Sequence, residues 1–222
     1  MLLLAVDTSG KHGSIALARC ESEECSLMEA VPLEGGAFSA QLVPQVAALL
    51  AKHNLSKHNI DGLAVVAGPG SFTGLRIGLA AVKAFAEILA KPIVAVSLLE
   101  AIAAAGRSQG KVMAALDAGR GEVFAGEYLV HDAGVRLGRE RLVRLAEWLA
   151  SAAGSVVVTP DRVLADAARG AGLTVEEIEL PRGDVIARLG WRKMQAGETV
   201  SPADLDANYI RRSSEIFSKA GS

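Results

Sequence analysis

The sequence predicts an α/β chain built twice over, as two similar halves that are each a mixed sheet flanked by helices. Three observations carry that reading. Strand-like and helix-like segments alternate along the whole chain. The stretch "MLLLAVDTSGKHGSIALARC" (1–20) returns in outline as "KVMAALDAGRGEVFAGEYLV" (111–130), each an apolar strand ending in aspartate, a polar corner with glycine and a second strand. Asp7 and Asp117 stand 110 positions apart, 117 minus 7, about half of the 222 residues.

The elements follow in order. "LLLAVDTS" (2–9), "GSIALARC" (13–20) and "CSLMEAVPL" (25–33) read as three strands with short connections. "SAQLVPQVAALLAKHN" (39–54) carries apolar positions 42, 46, 49 and 50, with His53 in line, the stripe of a helix. A strand at about 62–67, a helix at about 73–90 and the strand "PIVAVS" (92–97) come next, and Ser97 with Glu100 has capping-box spacing before "LLEAIAAAG". After the second hairpin, helices are expected near 142–152, 160–171 and 184–197, with the strand "SVVVT" (155–159) between the first two. The division into halves falls at 1–106 and 107–222.

Half of the chain is hydrophobic and 4% is aromatic, so aliphatic side chains and alanine must fill the core. A net charge of −2 gives no global basis for binding nucleic acid, although the tail "NYIRRSSEIFSK" is mildly basic. The opening "MLLLAV" reaches Asp7 too soon for a signal-peptide core and follows no basic residue, which predicts a cytoplasmic chain with no membrane segment. Cys20 and Cys25 flank "ESEE", a hairpin turn that sets them facing each other across two strands. With no sign of an oxidising compartment, two reduced, partly buried thiols are expected.

The corner "AVVAGPGSFTGLRIG" (64–78) has the layout of a phosphate cradle. A P-loop needs a lysine directly after its second glycine, yet none occurs until Lys83, so that motif is excluded. Gly68, Gly70 and Gly74 fit a loose dinucleotide pattern but follow the fourth strand rather than the first. The helix after the corner says more. Its charges, Arg76, Lys83 and Glu87, share one narrow stripe, and apolar residues spread around the rest. Gly74 and Gly78, with Ala81 close by, read as a smooth strip for another backbone, and the preceding helix carries Ala47, Ala48 and Ala51 beside its leucines. An intermolecular interface is therefore expected at Leu42, Val46, Leu49, Gly74, Arg76, Gly78, Ala81 and Phe85.

A duplicated βββαβαβα unit with an aspartate closing the first strand of each half is the layout of the actin-like ATPase (ASKHA, RNase H-like) group. Asp7, Thr8, Ser9 and Asp117 are thereby candidate nucleotide contacts, and an ordinary turn uses the same residue types. "LAVDTSG", "GPGSFTGLRIGLAAVKAFAE", "VSLLEA", "LDAGRGEVFAGEY" and the late "YIR" together resemble the TsaB (YeaZ) family, a match running from Leu4 to about Arg211.

The resemblance implies a non-catalytic partner of the paralogue TsaD in forming threonylcarbamoyladenosine beside the anticodon of tRNA. It implies pairing with TsaD through the first two helices, a comparable homodimer, a third subunit in the ATPase TsaE, and contact with tRNA only through the complex. No cofactor of its own is implied, with ATP and metal on the partner subunits. Two departures stand out. The family pattern D-A-R-x-G-E-V-Y reads here Asp117-Ala118-Gly119-Arg120-Gly121-Glu122-Val123-Phe124, and Phe38 precedes Ser39 where a histidine or methionine is usual.

The residues themselves agree with a partner role. The catalytic paralogue holds metal with a histidine pair at H-x-x-x-H spacing on its first long helix, and here that helix has His53 alone. His12, His58 and His131 stand singly, and no Ser-His-Asp spacing appears. An actin-like small-molecule kinase and a dinucleotide-binding protein are the alternative readings, discriminated by ATP turnover and by titration with NAD or NADP.

Overall fold

The structure, a computed structural model, describes residues 1–131, 134–208 and 210, without the side chain of residue 137. The "YIR" match and the basic tail therefore lie largely outside the described residues. Contacts divide the described residues into two units, 1–98 with 181–208, and 99–180.

The first unit contains β1 (Leu2–Asp7), β2 (His12–Glu21), β3 (Glu24–Glu34), α1 (Phe38–Lys52), β4 (Gly62–Gly68), α2 (Phe72–Leu89), β5 (Ile93–Ser97) and, from far along the chain, α6 (Gly183–Gln195). Its sheet runs β3-β2-β1-β4-β5. β1 pairs antiparallel with β2 and parallel with β4, and β4 pairs parallel with β5. Every residue of β1 and β4 is buried. Strands buried along their whole length require cover on both faces. Thr8 points at α2, whereas Leu3 and Ala64 meet α6 at Gly190, so strand alternation puts α1 and α2 on one face and α6 on the other.

The second unit begins with α3 (Leu98–Ala105), then β6 (Gly110–Gly119), β7 (Glu122–His131), β8 (Gly134–Arg144), α4 (Leu145–Ser151), β9 (Val156–Thr159), α5 (Arg162–Gly170) and β10 (Val175–Glu177). Its sheet order, β8-β7-β6-β9-β10, repeats the first sheet strand for strand, with the same antiparallel and parallel pairings. Trp148, fully buried, anchors a core with Met113, Val123, Val157 and Leu164. Glu176 closes the unit: its carboxylate accepts from the Arg107 amide at 2.7 Å, the Ser108 amide at 3.0 Å and the Ser108 hydroxyl at 2.6 Å. The fold class read from the sequence is therefore the fold observed.

Four expectations are corrected. Residues 142–144 are strand, not helix, because β8 runs on to Arg144 along the edge of β7, and only 145–151 are helical. β10, three residues long, was not foreseen. Residues 181–208, assigned by sequence to the second half, pack with the first unit, because Val185, Ile186, Leu189 and the small residues of α6 cover its open sheet face. Cys20 and Cys25 do face each other across β2 and β3, but they are joined as a disulfide rather than left as thiols. The strict register brings their sulfurs together.

Helix α6 approaches the sheet closely because it presents glycine. A β-carbon at Gly183 would lie 2.5 Å from that of Ala16, and one at Gly190 would lie 2.5 Å from that of Ala64. Gly190→Val should therefore cost about 1–3 kcal/mol or more through overpacking. Gly170→Ala, at the end of α5 with nothing within 4 Å of the new carbon, should leave stability unchanged or raise it by up to about 1 kcal/mol. Denaturant unfolding of the two variants checks the pair, and a Gly190→Val protein as stable as wild type would contradict the packing.

Candidate functional site

The end of β1 is pressed into the glycine-rich corner that opens α2. A β-carbon at Gly74 would sit 2.0 Å from the Thr8 carbonyl oxygen, one at Gly78 2.3 Å from the Thr8 hydroxyl, and one at Gly70 2.5 Å from the Ser9 carbonyl oxygen. Hydrogen bonds fix the contact. The Thr8 hydroxyl donates to the Gly74 carbonyl at 2.8 Å, and the Ser71 amide donates to the Ser9 carbonyl at 2.6 Å. Gly68, with φ of +129°, lets the loop pass the Asn208 carbonyl, and the Asn208 amide donates to the Ala67 carbonyl at 2.7 Å.

The glycines thus serve approaches of the chain to itself. Gly74 and Gly78, expected to offer a strip to a partner backbone, face Thr8 instead. A phosphate cradle relies on amides free to point at the anion. Here the Ser71 amide is taken by Ser9, and the Gly74 amide by the Ser71 hydroxyl at 3.3 Å.

Asp7 is 4% exposed, and its Oδ1 accepts from the Ser9 amide at 2.8 Å and the Ser9 hydroxyl at 2.6 Å. Burial pushes its carboxyl above the ordinary range, against the pull of the two Ser9 hydrogen bonds. Asp7, Thr8 and Ser9 therefore form one tight, buried corner. Asp117, in the other unit, is exposed, and its Oδ1 accepts from the Gly119 amide at 2.9 Å. Gly119 takes φ of +74°, a conformation glycine adopts without strain, at the position where the family pattern has arginine. His53 is held by Glu29, its Nε2 3.0 Å from Oε2, while Lys52 Nζ lies 2.6 Å from Oε1. Among the described residues no three of histidine, cysteine, aspartate and glutamate converge as metal ligands would.

The two long helices of the first unit show which way their stripes turn. On α1 the leucine stripe faces inward: Phe38, Leu42, Val46, Leu49 and Leu50 are buried, with Phe38 against Gly13. Leu42, Val46 and Leu49 are thus core residues, because the apolar stripe of largest volume covers the chain's own sheet. α2 likewise buries Gly74, Leu75, Gly78, Leu79, Val82 and Ala86. Arg76 is exposed, its guanidinium 3.8 Å above the Phe72 ring, and Ala81 and Phe85 are half-buried. Beside the charged Arg76 and Glu87, the outward residues include an apolar set, of which Val43, Ala80, Ala84 and Ile88 were not among the expected interface residues. α1 turns out Val43, 53% exposed, with Ala47 and Ala51, and α2 turns out Ile88, 69% exposed, with Ala80 and Ala84.

The Asp7 geometry has a pH signature. A carboxyl raised in the folded state binds more protons there than in the unfolded chain, so its contribution to stability falls as pH rises from about 4 through the raised folded value. Asp7→Asn keeps an oxygen acceptor for Ser9 and removes the charge, so this variant should melt higher than wild type at neutral pH and lose that fall. Asp7→Ala should instead lose about 1–3 kcal/mol at acid pH, because the Ser9 donors are left buried and unpaired, and less at neutral pH, where it also removes the penalised charge. Melting curves across pH decide the matter, and a destabilised Asp7→Asn at neutral pH would count against it.

A family model described as TsaD: tRNA N6-adenosine threonylcarbamoyltransferase matches residues 34–187. The chain is 36% identical over 151 residues to the tRNA threonylcarbamoyladenosine biosynthesis protein TsaB of Bacillus subtilis, covering 67% of this chain and 65% of that one. It is 29% identical to the TsaB of Escherichia coli, covering 95% of each. It is 31% identical to the uncharacterized protein ML0378 of Mycobacterium leprae, covering 95% of this chain and 55% of that one. The match thus spans less than two thirds of the Bacillus and Mycobacterium relatives. The solved structure of YeaZ from Pseudomonas aeruginosa superposes with a TM-score of 0.75 at 26% identity, covering 94% of this chain and 99% of that one. The duplicated sheets, the GPGSFTG corner closed on the end of β1, and these likenesses place the chain in the TsaB (YeaZ) family.

Proposed function

We propose that this chain is a non-catalytic subunit of the machinery that forms N6-threonylcarbamoyladenosine in tRNA, supporting a catalytic TsaD paralogue by docking α1 and α2 against that subunit's helices. The observation that carries the reading is the outward face of α1 and α2. Val43 and Ile88 stand among exposed alanines on two adjacent helices, where a helix covering its own sheet turns polar residues to water. Membership in the TsaB family supports the pathway, and relatives in Bacillus and Escherichia bear its name.

In this reading ATP and metal act on the partner subunits, TsaE joins the complex, tRNA is reached only through it, and the work is cytoplasmic. The corner of Asp7 to Ser9 has a structural task, holding α2 in the orientation that presents the docking face. The same face, unoccupied by TsaD, serves self-association.

Ala84, exposed near the middle of the α2 face, gives the cleanest test. Ala84→Arg sets a charge into the closed seam, at an expected cost of about 3–5 kcal/mol and a loss of several-hundredfold or more in affinity. In the free chain the side chain extends into water, so folding should change by no more than about 0.5 kcal/mol. Co-purification with the same cell's TsaD, light scattering and nucleoside analysis of tRNA with each subunit omitted provide the readouts. Pairing that survives Ala84→Arg, or modified tRNA made by this chain alone, would overturn the proposal.

A further inference from the structure

The β2–β3 hairpin ends on a cysteine pair that the backbone holds together independently of any bond between the sulfurs. Cys20 donates its amide to the Met1 carbonyl at 2.9 Å and accepts from the Met1 amine at 2.9 Å, so both its main-chain groups point toward β1. Toward β3 it is therefore a non-hydrogen-bonded position, the kind of cross-strand pair in which Cα atoms and side chains come closest. Its partner in register is Cys25, with Cα atoms 4.0 Å apart.

The hairpin tip is fastened to α6. Trp191 Nε1 donates to the Ser22 carbonyl at 3.0 Å, Gln195 Nε2 donates to the same oxygen, and Cys25 Sγ lies 3.8 Å from the Ala187 carbonyl oxygen. The two residues differ in access, Cys20 being fully buried and Cys25 partly exposed.

We propose that Cys20 and Cys25 form a reversible dithiol–disulfide couple that exchanges with small-molecule thiols through the Cys25 sulfur. Oxidation balances with glutathione disulfide as the oxidant. The Cys25 thiolate attacks one glutathione sulfur and expels the other as glutathione thiolate. The Cys20 thiolate then attacks the Cys25 sulfur of the mixed disulfide, closing the protein disulfide and expelling the second glutathione. Two electrons pass from the cysteines to glutathione, and the two thiol protons leave to solvent or to the departing thiolates. Reduction runs the same steps backwards, with reduced glutathione attacking Cys25 because Cys20 is out of its reach. The register keeps the thiols opposed after reduction, so the second step is intramolecular and the mixed disulfide stays a minor species.

The full chain is equilibrated across ratios of reduced to oxidised glutathione, trapped by alkylation and weighed intact. A single transition between doubly alkylated and unalkylated protein is expected, with an unchanged circular dichroism spectrum. A chain that keeps both thiols in excess glutathione disulfide, or keeps its disulfide in excess reduced glutathione, overturns the proposal. Cys20→Ala, which leaves the thiol of the partly exposed residue, should take up glutathione at least about tenfold faster than Cys25→Ala, since thiol reactivity follows exposure. Equal rates in two variants with wild-type circular dichroism assign the exchange wrongly and overturn it as well. The wild-type titration decides independently of whether either variant folds.

Discussion

The contact between Thr8 and the first turns of α2 governs the rest of the first unit. The Thr8 carbonyl and hydroxyl occupy space that any side chain at Gly74 or Gly78 would need, and the Thr8 hydroxyl donates into the same turn. Two glycines four apart fix one side of the helix against the end of β1, which sets its rotation about its own axis. Leu75, Leu79, Val82 and Ala86 then fall over the sheet, while Ala80, Ala84 and Ile88 turn away from it. α1 packs beside α2 with its leucines down, and its own small residues complete the outer face. The direction of the outward face is thus a consequence of backbone proximity at a glycine corner.

Much of the fold was legible because it is written twice. The strand closing on Asp7 and its echo at Asp117 mark equivalent first strands, and the two sheets repeat one topology. What stayed hidden depends on contacts distant in sequence. β8 reads as a helix start because its last residues, Leu142 and Val143, are followed directly by the apolar pattern of α4. Only pairing along β7 decides that they are strand. α6 carries a stripe that suits either sheet, and its place against β2 and β4 rests on Gly183 and Gly190 finding Ala16 and Ala64.

Which stripes of α1 and α2 turn outward was not legible in the sequence. The sequence points to α1 and α2, yet periodicity alone cannot say which stripe of a helix apolar on several sides faces its own core. The larger stripe wins the interior because burying a leucine removes more apolar area from water than burying an alanine. Leu42, Val46 and Leu49 therefore go inward, and the outward stripe is left with residues that a hydrophobicity scan scores weakly. The glycines misled in the same way, since a close-approach strip looks identical in sequence whether the visiting backbone belongs to the chain or to another.

A face of this composition constrains how it can bind. At roughly 0.8 kcal/mol per buried methylene-sized group, Ala47, Ala51, Ala80 and Ala84 contribute little transfer energy each. Their contribution is geometric, because small side chains let helix axes approach to about 8 Å, where the larger Val43 and Ile88 can enter grooves on the partner. Such a surface discriminates by shape: a partner helix with bulky residues opposite the alanines is held too far away for Val43 and Ile88 to seat. Arg76, stacked on Phe72 at the start of α2, adds a fixed positive charge at the rim, and Glu87 adds a negative one near the other end of the helix. The charge order along α2 favours a partner helix of opposite polarity at each end, which sets orientation and encounter rate more than affinity. In the proposed docking, selectivity for one partner follows from small residues placed outward, and those residues can lie outward only because Gly74 and Gly78 are pinned inward against Thr8.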